Sequence, residues 1–220
     1  MKADLHSHTN YSKDGVTKPA DYLKVASQRV DAIAVTDHDT MKGYFSMKKL
    51  NPSVVLIPGE EVSTDLGDII GLFIQEEIKP KSSLEVIDEI RRQGGVVVLP
   101  HPFDMYRGFG NIDYVMKKVD CLEVFNARTT FAFENSKALD VAKGAMKGMT
   151  AGSDAHTKGE IGFAYVEWNG DMESLRKAIV SGKAATKGKL SPPYVHLAST
   201  LAKLAGKRPQ TGKIFKYPGE

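Results

Sequence analysis

Short apolar runs alternate along the chain with longer amphipathic stretches. Several runs are almost continuous in Val, Ile and Leu, which is typical of parallel strands covered on both faces. The runs that predict strands are Ala3–Leu5, Ala32–Val35, Val54–Ile57, Ile69–Ile74, Val96–Leu99, Cys121–Phe125, Met149–Ala151 and Phe163–Val166. This alternation of strand and helix, repeated about seven times, predicts an α/β fold built as a closed barrel or an open sheet.

The stretches between the runs carry helix signals. Ser82 precedes Glu85 by three residues, which is the capping-box pattern at a helix N-terminus. A second helix is predicted over Glu134–Lys147 from its apolar spacing, and a third is predicted to start near Asp171.

Basic residues concentrate at the C-terminal end of the sequence. Residues 183–220 carry eight Lys or Arg and one acid, Glu220, whereas the formal net charge of the chain is only +3. We predict one domain over residues 1–187 and a basic segment over 188–220, with a helix near Val195–Ala205, that packs on the domain or trails from it. Such a segment is a solvated surface or a surface that attracts phosphate-rich partners, and the lack of interleaved aromatic residues favours the first interpretation.

The composition is that of an ordinary globular chain, with 41% hydrophobic and 26% charged residues. No apolar run reaches the length of a membrane span, and Asp4 and His6 interrupt the only candidate for a signal-peptide core. The single cysteine, Cys121, excludes an internal disulfide and fits a reducing compartment. We therefore expect a cytoplasmic protein with no membrane association and no obligate protein partner.

Five of the six histidines end or directly follow a predicted strand, and only His196 lies elsewhere, as expected of a surface or structural histidine. The five are His6, His8, His38, His101 and His156. Acidic residues occupy equivalent places, namely Asp14, Asp37, Asp39, Glu60, Glu61, Glu123 and Asp154. The carboxyl ends of parallel strands converge on one face of an α/β fold, so these side chains are expected to form one cluster.

Such a cluster is unfavourable without metal, because its carboxylates repel one another and its buried imidazoles need partners. Divalent cations remove this cost and use the nitrogen and oxygen lone pairs as ligands. Residues i and i+2 of a strand point to the same side, so His6 and His8 can bind one ion together. The sequence therefore predicts a divalent metal centre.

The ordered motifs DLHSHTNYSKDG, VTDHDT, PGEEVST, LPHP and GSDAH resemble those of the PHP family, named for polymerase and histidinol phosphatase. The resemblance runs from residue 3 to about residue 187. It implies a distorted (β/α)7 barrel, similar to a TIM barrel, with metal ions at the carboxyl ends of the strands. It also implies hydrolysis of phosphoester bonds with two or three ions of Mn, Fe or Zn.

The resemblance further implies three sets of metal ligands. The first ion would be held by His6, His8, Glu61 and Asp154. The second would be held by Glu61, as a bridging ligand, and His101. The third would be held by Asp14, His38 and His156. Asp68 stands where family members often have a histidine, so it is either a further ligand of the second ion or a surface turn residue.

Hydrolysis in such a site uses a metal-activated hydroxide that attacks the phosphorus in line. The residues assigned to catalysis are Asp154, His156 and Arg128. The guanidinium of Arg128 can form bidentate hydrogen bonds with phosphate oxygens. Arg128 could instead form a surface salt bridge. Residues assigned to substrate binding are Arg128, Asn126, Arg107 and Lys13.

The leading functional hypothesis is hydrolysis of a small phosphorylated metabolite or nucleotide. A nuclease that trims single-stranded oligonucleotide ends is the main alternative, since the basic segment would assist it. A binding module in which the metal only supports the fold is a second alternative. Hydrolysis of C–N bonds is a more remote one, because the same activated water attacks amides.

Overall fold

The computed structural model describes residues 1–79, 81–107 and 110–195, and this part of the chain forms one sheet of nine strands with six helices. The strands are β1 (Lys2–Asp4), β2 (Ala32–Val35), β3 (Val55–Thr64), β4 (Gly67–Leu72), β5 (Val96–Leu99), β6 (Cys121–Asn126), β7 (Gly148–Gly152), β8 (Ala164–Glu167) and β9 (Ala185–Gly188). The helices are α1 (Pro19–Arg29), α2 (Lys42–Lys48), α3 (Ser83–Arg92), α4 (Ile112–Lys118), α5 (Ala132–Gly144) and α6 (Met172–Val180).

The sheet curls into a nearly closed barrel. Its strand order is β7-β6-β5-β4-β3-β2-β1-β8-β9, with parallel pairing among β1, β2 and β3 and among β5, β6 and β7. The segment after β7 returns to the segment after β1, where the amide of Leu5 donates to the carbonyl of Ala151 at 3.2 Å and the amide of Asp154 donates to that of His6 at 2.7 Å. The predicted distorted barrel is therefore confirmed.

Three strands depart from the parallel arrangement that apolar runs suggest. β4 is antiparallel to both of its neighbours, and β8 and β9 form an antiparallel hairpin beside β1. Only Asp65 and Leu66 separate β3 from β4, and a parallel crossover needs a dozen or more residues. β4 pairs with β3 as far as Thr64, so β3 continues well past the predicted end at Ile57.

Alternate residues of the strands pack in two different layers. Ala34, Ile70 and Val98 belong to the cluster inside the barrel. Their neighbours Ile69 and Val97 pack with the apolar residues of α3 on the outside. Because both faces of these strands are covered, the apolar runs show no polar alternation.

The helices follow the sequence signals closely. α3 begins after Ser82, whose hydroxyl accepts from the amide of Glu85 while the Glu85 carboxylate accepts from the Ser82 amide at 3.2 Å, so the predicted capping box is confirmed. α5 ends at Gly144 rather than Lys147, because Met146 adopts a left-handed φ of 51°. The longest helix has 13 residues, and within the described part of the chain no helix could cross a membrane.

The C-terminal end contains a strand that the sequence did not predict and a predicted helix that the structure does not test. β9 was missed, because its residues ATKG are mostly exposed and carry no apolar pattern. Beyond it, the amide of Ser191 still donates to the carbonyl of Ala127 at 2.6 Å, so the chain remains against the barrel. The helix predicted near Val195–Ala205 and His196 lie, apart from Val195, outside the described residues. The division at residue 187 therefore stays a prediction.

Closure of the barrel depends on the absence of a side chain at Gly152. A Cβ at this position would lie 2.2 Å from the Cβ of His6 and 2.7 Å from its amide nitrogen. Neither neighbour is the free end of a flexible side chain, so a larger residue would push the segments after β1 and β7 apart.

We expect Gly152→Ala to lower the free energy of unfolding by about 1–3 kcal/mol, as overpacking of a tight site does. Gly144→Ala is the matched control, because a Cβ there meets no atom within 4 Å and alanine favours a helix by up to about 1 kcal/mol. Urea denaturation of both variants measures the difference. A Gly152→Ala protein as stable as the natural chain would contradict this account of closure.

Candidate metal centre

Polar side chains from distant parts of the chain meet at the carboxyl ends of the barrel strands. His6 and His8 follow β1, and their Nε2 atoms lie 3.1 Å apart, as two side chains on the same side of an extended segment should. Ser7, between them, points the other way and donates to the carbonyl of Ala34. Both imidazoles are buried.

Glu61 and Asp154 bring carboxylate oxygens to this pair of rings. Glu61 Oε2 lies 3.3 Å from the Nε2 atoms of both His6 and His8. Asp154 Oδ1 lies 3.2 Å from Nε2 of His8 and 3.6 Å from Nε2 of His6. The four side chains that the resemblance assigns to the first ion are therefore gathered in one place.

The remaining predicted ligands surround this group. Asp14 Oδ1 lies 3.2 Å from His156 Nε2, and Asp14 Oδ2 lies 3.6 Å from His38 Nε2. On the other side, Glu61 Oε1 lies 3.3 Å from His101 Nε2. We call these nine side chains the ligand cluster: His6, His8, Asp14, His38, Glu61, Asp68, His101, Asp154 and His156.

Three groups within the ligand cluster have the spacing of a metal site, because each member offers one ligand atom within 4.8 Å of the others. They are His8, Asp14, His38 and His156; His6, His8 and Glu61; and His38, Glu61 and Asp68. The first group adds His8 to the residues predicted for the third ion. The last group brings Asp68 to Glu61, so this aspartate lies at the cluster and not at a remote turn.

The charges of the ligand cluster are strongly coupled. Burial alone would lower the pKa of His6, but the carboxylates of Glu123, Asp154 and Glu61 raise it well above its usual value. Burial also opposes the rise at His8, where hydrogen bonds to Asp154 and Glu61 raise the pKa to about 9. The buried carboxylates therefore favour positive charge beside them, which a divalent cation would supply.

The pKa values of two other histidines of the cluster are lowered, whereas that of Asp68 is raised. Burial lowers the pKa of His38 to about 3 and also lowers that of His156, so both rings are neutral near pH 7. Burial and the charge of Glu61 raise the pKa of Asp68 to about 6. Neutral imidazoles have the free lone pair that a metal ligand needs.

The chemistry of the donor set fits a divalent cation. Within residues 1–79, 81–107 and 110–195, the buried atoms His38 Nδ1 and His101 Nδ1 have no hydrogen-bond partner. A buried polar atom without a partner is costly unless an ion or water satisfies it. Imidazole nitrogens mixed with carboxylate oxygens suit Mn, Fe and Zn.

A β-bulge brings two more polar side chains to the cluster. The register of β6 against β7 shifts between Glu123 and Phe125. Asn126 and Glu123 are three residues apart and would face opposite sides of a regular strand, yet Asn126 Nδ2 donates to Glu123 Oε2 at 2.9 Å. Glu123 Oε1 in turn lies 3.0 Å from His6 Nδ1. The sequence analysis placed Glu123 among the acids at strand ends but assigned it no role. The signal that could have revealed a role is the presence of a carboxylate inside the apolar strand LEVFN.

Arg107 reaches the ligand cluster from the loop after β5. Its Nη1 donates to Asp154 Oδ2, and its Nε and Nη2 donate to Asp104 Oδ2 at 3.0 and 2.9 Å. The charges of Asp154 and Asp104 outweigh burial and keep the pKa of this guanidinium above its usual value. Arg107 is therefore a fixed positive charge beside a predicted metal ligand.

The other residues predicted to bind substrate also border the cluster. Arg128 is buried, with Nη1 3.5 Å from Glu160 Oε1, so it is not the surface arginine of the alternative interpretation. Asn126 uses its amide nitrogen on Glu123 and Asp154 and its oxygen on the amide of Arg128, which favours orienting a ligand over binding substrate. Lys13 is exposed, and its charge lowers the pKa of His38 and of Asp68.

Comparisons of sequence find similar proteins. A family model described as PHP-associated matches residues 132–184. An uncharacterized protein of Methanocaldococcus jannaschii is 36% identical over 177 residues, which is 77% of this chain and 71% of that protein.

Solved structures share the fold at lower identity. A two-domain protein of Bacteroides vulgatus, in which a PHP-like metal-dependent phosphoesterase is predicted, is 18% identical with a TM-score of 0.71, over 92% of this chain and 69% of that one. A lesion-specific endonuclease of Pyrococcus furiosus is 16% identical with a TM-score of 0.63, over 84% of this chain and 57% of that one. With the ordered motifs and the ligand cluster at the mouth of the barrel, these similarities show that the chain belongs to the PHP family.

Proposed function

We propose that this protein hydrolyses phosphoester bonds with two or three divalent ions of Mn, Fe or Zn held in the ligand cluster. The position of Glu61 is the observation that carries the proposal. Its two buried oxygens lie 3.3–3.4 Å from four imidazoles, those of His6, His8, His38 and His101. A carboxylate that faces several imidazoles in this way is suited to bridge adjacent cations.

We base the ligand sets on the family resemblance, and these contacts support them. The first ion would be held by His6, His8, Glu61 and Asp154. The second would be held by Glu61 and His101, with Asp68 as a further ligand, because Asp68 is half-buried and lies within reach of Glu61 and His38. The third would be held by Asp14, His38 and His156. Imidazole and carboxylate donors do not by themselves select among Mn, Fe and Zn.

When bound, such ions activate water for attack on phosphorus and offset the charge that develops on the phosphoryl oxygens. Asp154 and His156 would act at the reacting centre, since both lie where the first and third ligand sets meet. Arg107 and Arg128 would donate to the phosphoryl oxygens, and Asp104 holds the Arg107 guanidinium in place. Lys13 would add positive charge at the entrance.

Exposed apolar side chains beside the cluster favour a substrate with a planar base. Met105 and Tyr106 are 66% and 76% exposed, and Phe131 and Phe133 are 42% and 54% exposed. The Glu134 carboxylate joins their two loops, because it accepts from the amides of Met105 and Phe131 at 3.1 and 3.2 Å. Arg107, which contacts Asp154, follows directly in the first loop. A nucleotide could therefore place its phosphate at the cluster and its base on this apolar rim.

Loss of a ligand should abolish activity together with metal binding. We expect Asp154→Asn and His8→Ala to lower kcat by about 100-fold or more, because bound ions contribute several kcal/mol to the transition state. Elemental analysis after dialysis should show less metal, and circular dichroism should show an intact fold. Asp113→Asn, at an exposed acid of α4, is the control and should change neither quantity. A fully active Asp154→Asn protein would refute the ligand assignment.

Substitution of either arginine at the proposed phosphate site should weaken substrate binding without affecting metal binding. A hydrogen bond to a charged group contributes about 1.5–3 kcal/mol, so Arg107→Ala and Arg128→Ala should each raise KM about tenfold or more. Metal content should not change. A KM of Arg128→Ala equal to that of the natural chain would contradict a role of Arg128 in substrate binding.

The apolar rim should distinguish nucleotides from simple sugar phosphates. Adenosine 5′-monophosphate and ribose 5-phosphate release the same kind of primary alcohol, so a difference between them in kcat/KM reports binding of the base. We expect Phe131→Ala combined with Phe133→Ala to remove about a tenfold preference for the nucleotide, since base stacking contributes about 1–3 kcal/mol. Met146→Ala, at a residue that is exposed in the loop after α5, is the control.

Cleavage of an oligonucleotide tests the nuclease alternative. The fold shared with an endonuclease supports that alternative. Faster, salt-sensitive cleavage of a short single-stranded oligonucleotide, lost when residues 196–220 are removed, would favour it over hydrolysis of mononucleotides. No preference for the base and no effect of the Phe variants would contradict the role of the rim.

A further inference from the structure

Glu123 is a buried carboxylate in β6 that contacts the predicted ligands without being one of them. Its Oε1 lies 3.0 Å from Nδ1 of His6. Its Oε2 accepts from the backbone amide of His101 at 2.8 Å and from Asn126 Nδ2 at 2.9 Å. One side chain therefore touches the segments that follow β1 and β5.

The contact with His6 determines which ring nitrogen is free to bind a cation. A neutral imidazole carries one proton, and the nitrogen without the proton offers the lone pair. A carboxylate facing Nδ1 keeps the proton on that atom. The lone pair is then on Nε2, which lies 3.1 Å from His8 Nε2 and 3.3 Å from Glu61 Oε2, at the first ion's position.

Asn126 extends this arrangement to a third segment. Its Nδ2 donates both to Glu123 Oε2 and to Asp154 Oδ2, at 2.9 and 3.2 Å. The amide thus ties the carboxylate of Glu123 to the ligand that follows β7. The β-bulge in β6 permits the contact, since it turns Glu123 and Asn126 to the same side.

We propose that Glu123 is a positioning residue that holds His6 in the tautomer required for metal binding and, with Asn126, orients ligands from three strands. The inference rests on the proposed function, because it assumes that the ligand cluster binds divalent ions. Carboxylates that accept from a ligating imidazole orient the ring and raise its basicity. Glu123 would therefore set the metal affinity without contacting an ion.

Glu123→Gln tests the role of the carboxylate with almost no change in shape. The amide has one oxygen, and the His101 amide and Asn126 Nδ2 both donate to the Oε2 position, so they hold the Gln oxygen there. The Gln NH2 group would then face His6 Nδ1 and donate to it, which moves the ring proton to Nε2. In that tautomer His6 no longer offers a lone pair to the first ion.

The experiment is a competition titration of the metal-free full chain with Zn²⁺ or Mn²⁺ against a chromophoric chelator. We expect Glu123→Gln to weaken the tightest site by about 10- to 100-fold. Glu134→Gln is the matched control, because Glu134 is equally buried and accepts from two backbone amides but contacts no ligand imidazole. Its metal affinity should equal that of the natural chain.

A double-mutant cycle shows whether Glu123 acts through His6. If it does, Glu123→Gln should cause little further loss of affinity in a His6→Ala background. Additive losses from the two substitutions would overturn the proposed route. This comparison also separates positioning from a general effect on folding.

The outcomes distinguish this inference from the proposed function. If the natural chain binds no divalent ion, the proposed function fails. If it binds ions and a folded Glu123→Gln protein binds them equally well, only the role of Glu123 fails. Should Glu123→Gln not fold by circular dichroism, Asn126→Ala takes its place: it removes the amide that holds Glu123 and Asp154, and unchanged metal affinity in that variant would overturn the proposal.

Discussion

The contact of the Glu61 carboxylate with four imidazoles is the constraint around which the mouth of the barrel is built. These rings come from the segments after β1, β2 and β5, and Glu61 itself lies within β3. Each group alone loses hydration when buried, and the group as a whole is stable only if positive charge accompanies the carboxylates. The guanidinium of Arg107, which donates to Asp154, supplies part of that charge, and divalent cations would supply the rest.

The barrel makes this convergence possible because its strands end at one mouth. Closure between the segments after β1 and β7 brings Asp154 to His6 and His8, and it requires the bare backbone of Gly152. Two of the predicted ligands adopt left-handed backbone conformations, with φ of 29° at His101, after β5, and 52° at Asp154, after β7. Left-handed φ values at residues other than glycine are found most often where a functional arrangement holds them. Fold stability and the arrangement of the site are therefore coupled at this seam.

A second layer of buried side chains contacts the predicted ligands. Glu123 and Asn126 link His6, His101 and Asp154, while Glu160 accepts from the amide of His156 and faces Arg128. These groups are as deeply buried as the ligands themselves. The outer loops differ, since they expose aromatic residues and methionine beside Arg107. The protein thus combines a buried polar interior with an exposed apolar rim, and the proposed function assigns substrate choice to the rim.

The sequence by itself determined the fold class, the family and the set of candidate ligands, because apolar runs and ordered motifs are local patterns that survive without coordinates. To predict that the side chains at strand ends form one cluster, only one assumption was needed, namely that parallel strands end at one face of the fold. Other features depended on tertiary pairing. β3 extends past Ile57 only because β4 folds back on it, β9 forms from exposed residues through its partner β8, and a bulge turns Glu123 toward His6. Register between distant segments has no local signature, since it arises from the contacts that each strand makes after the barrel has closed.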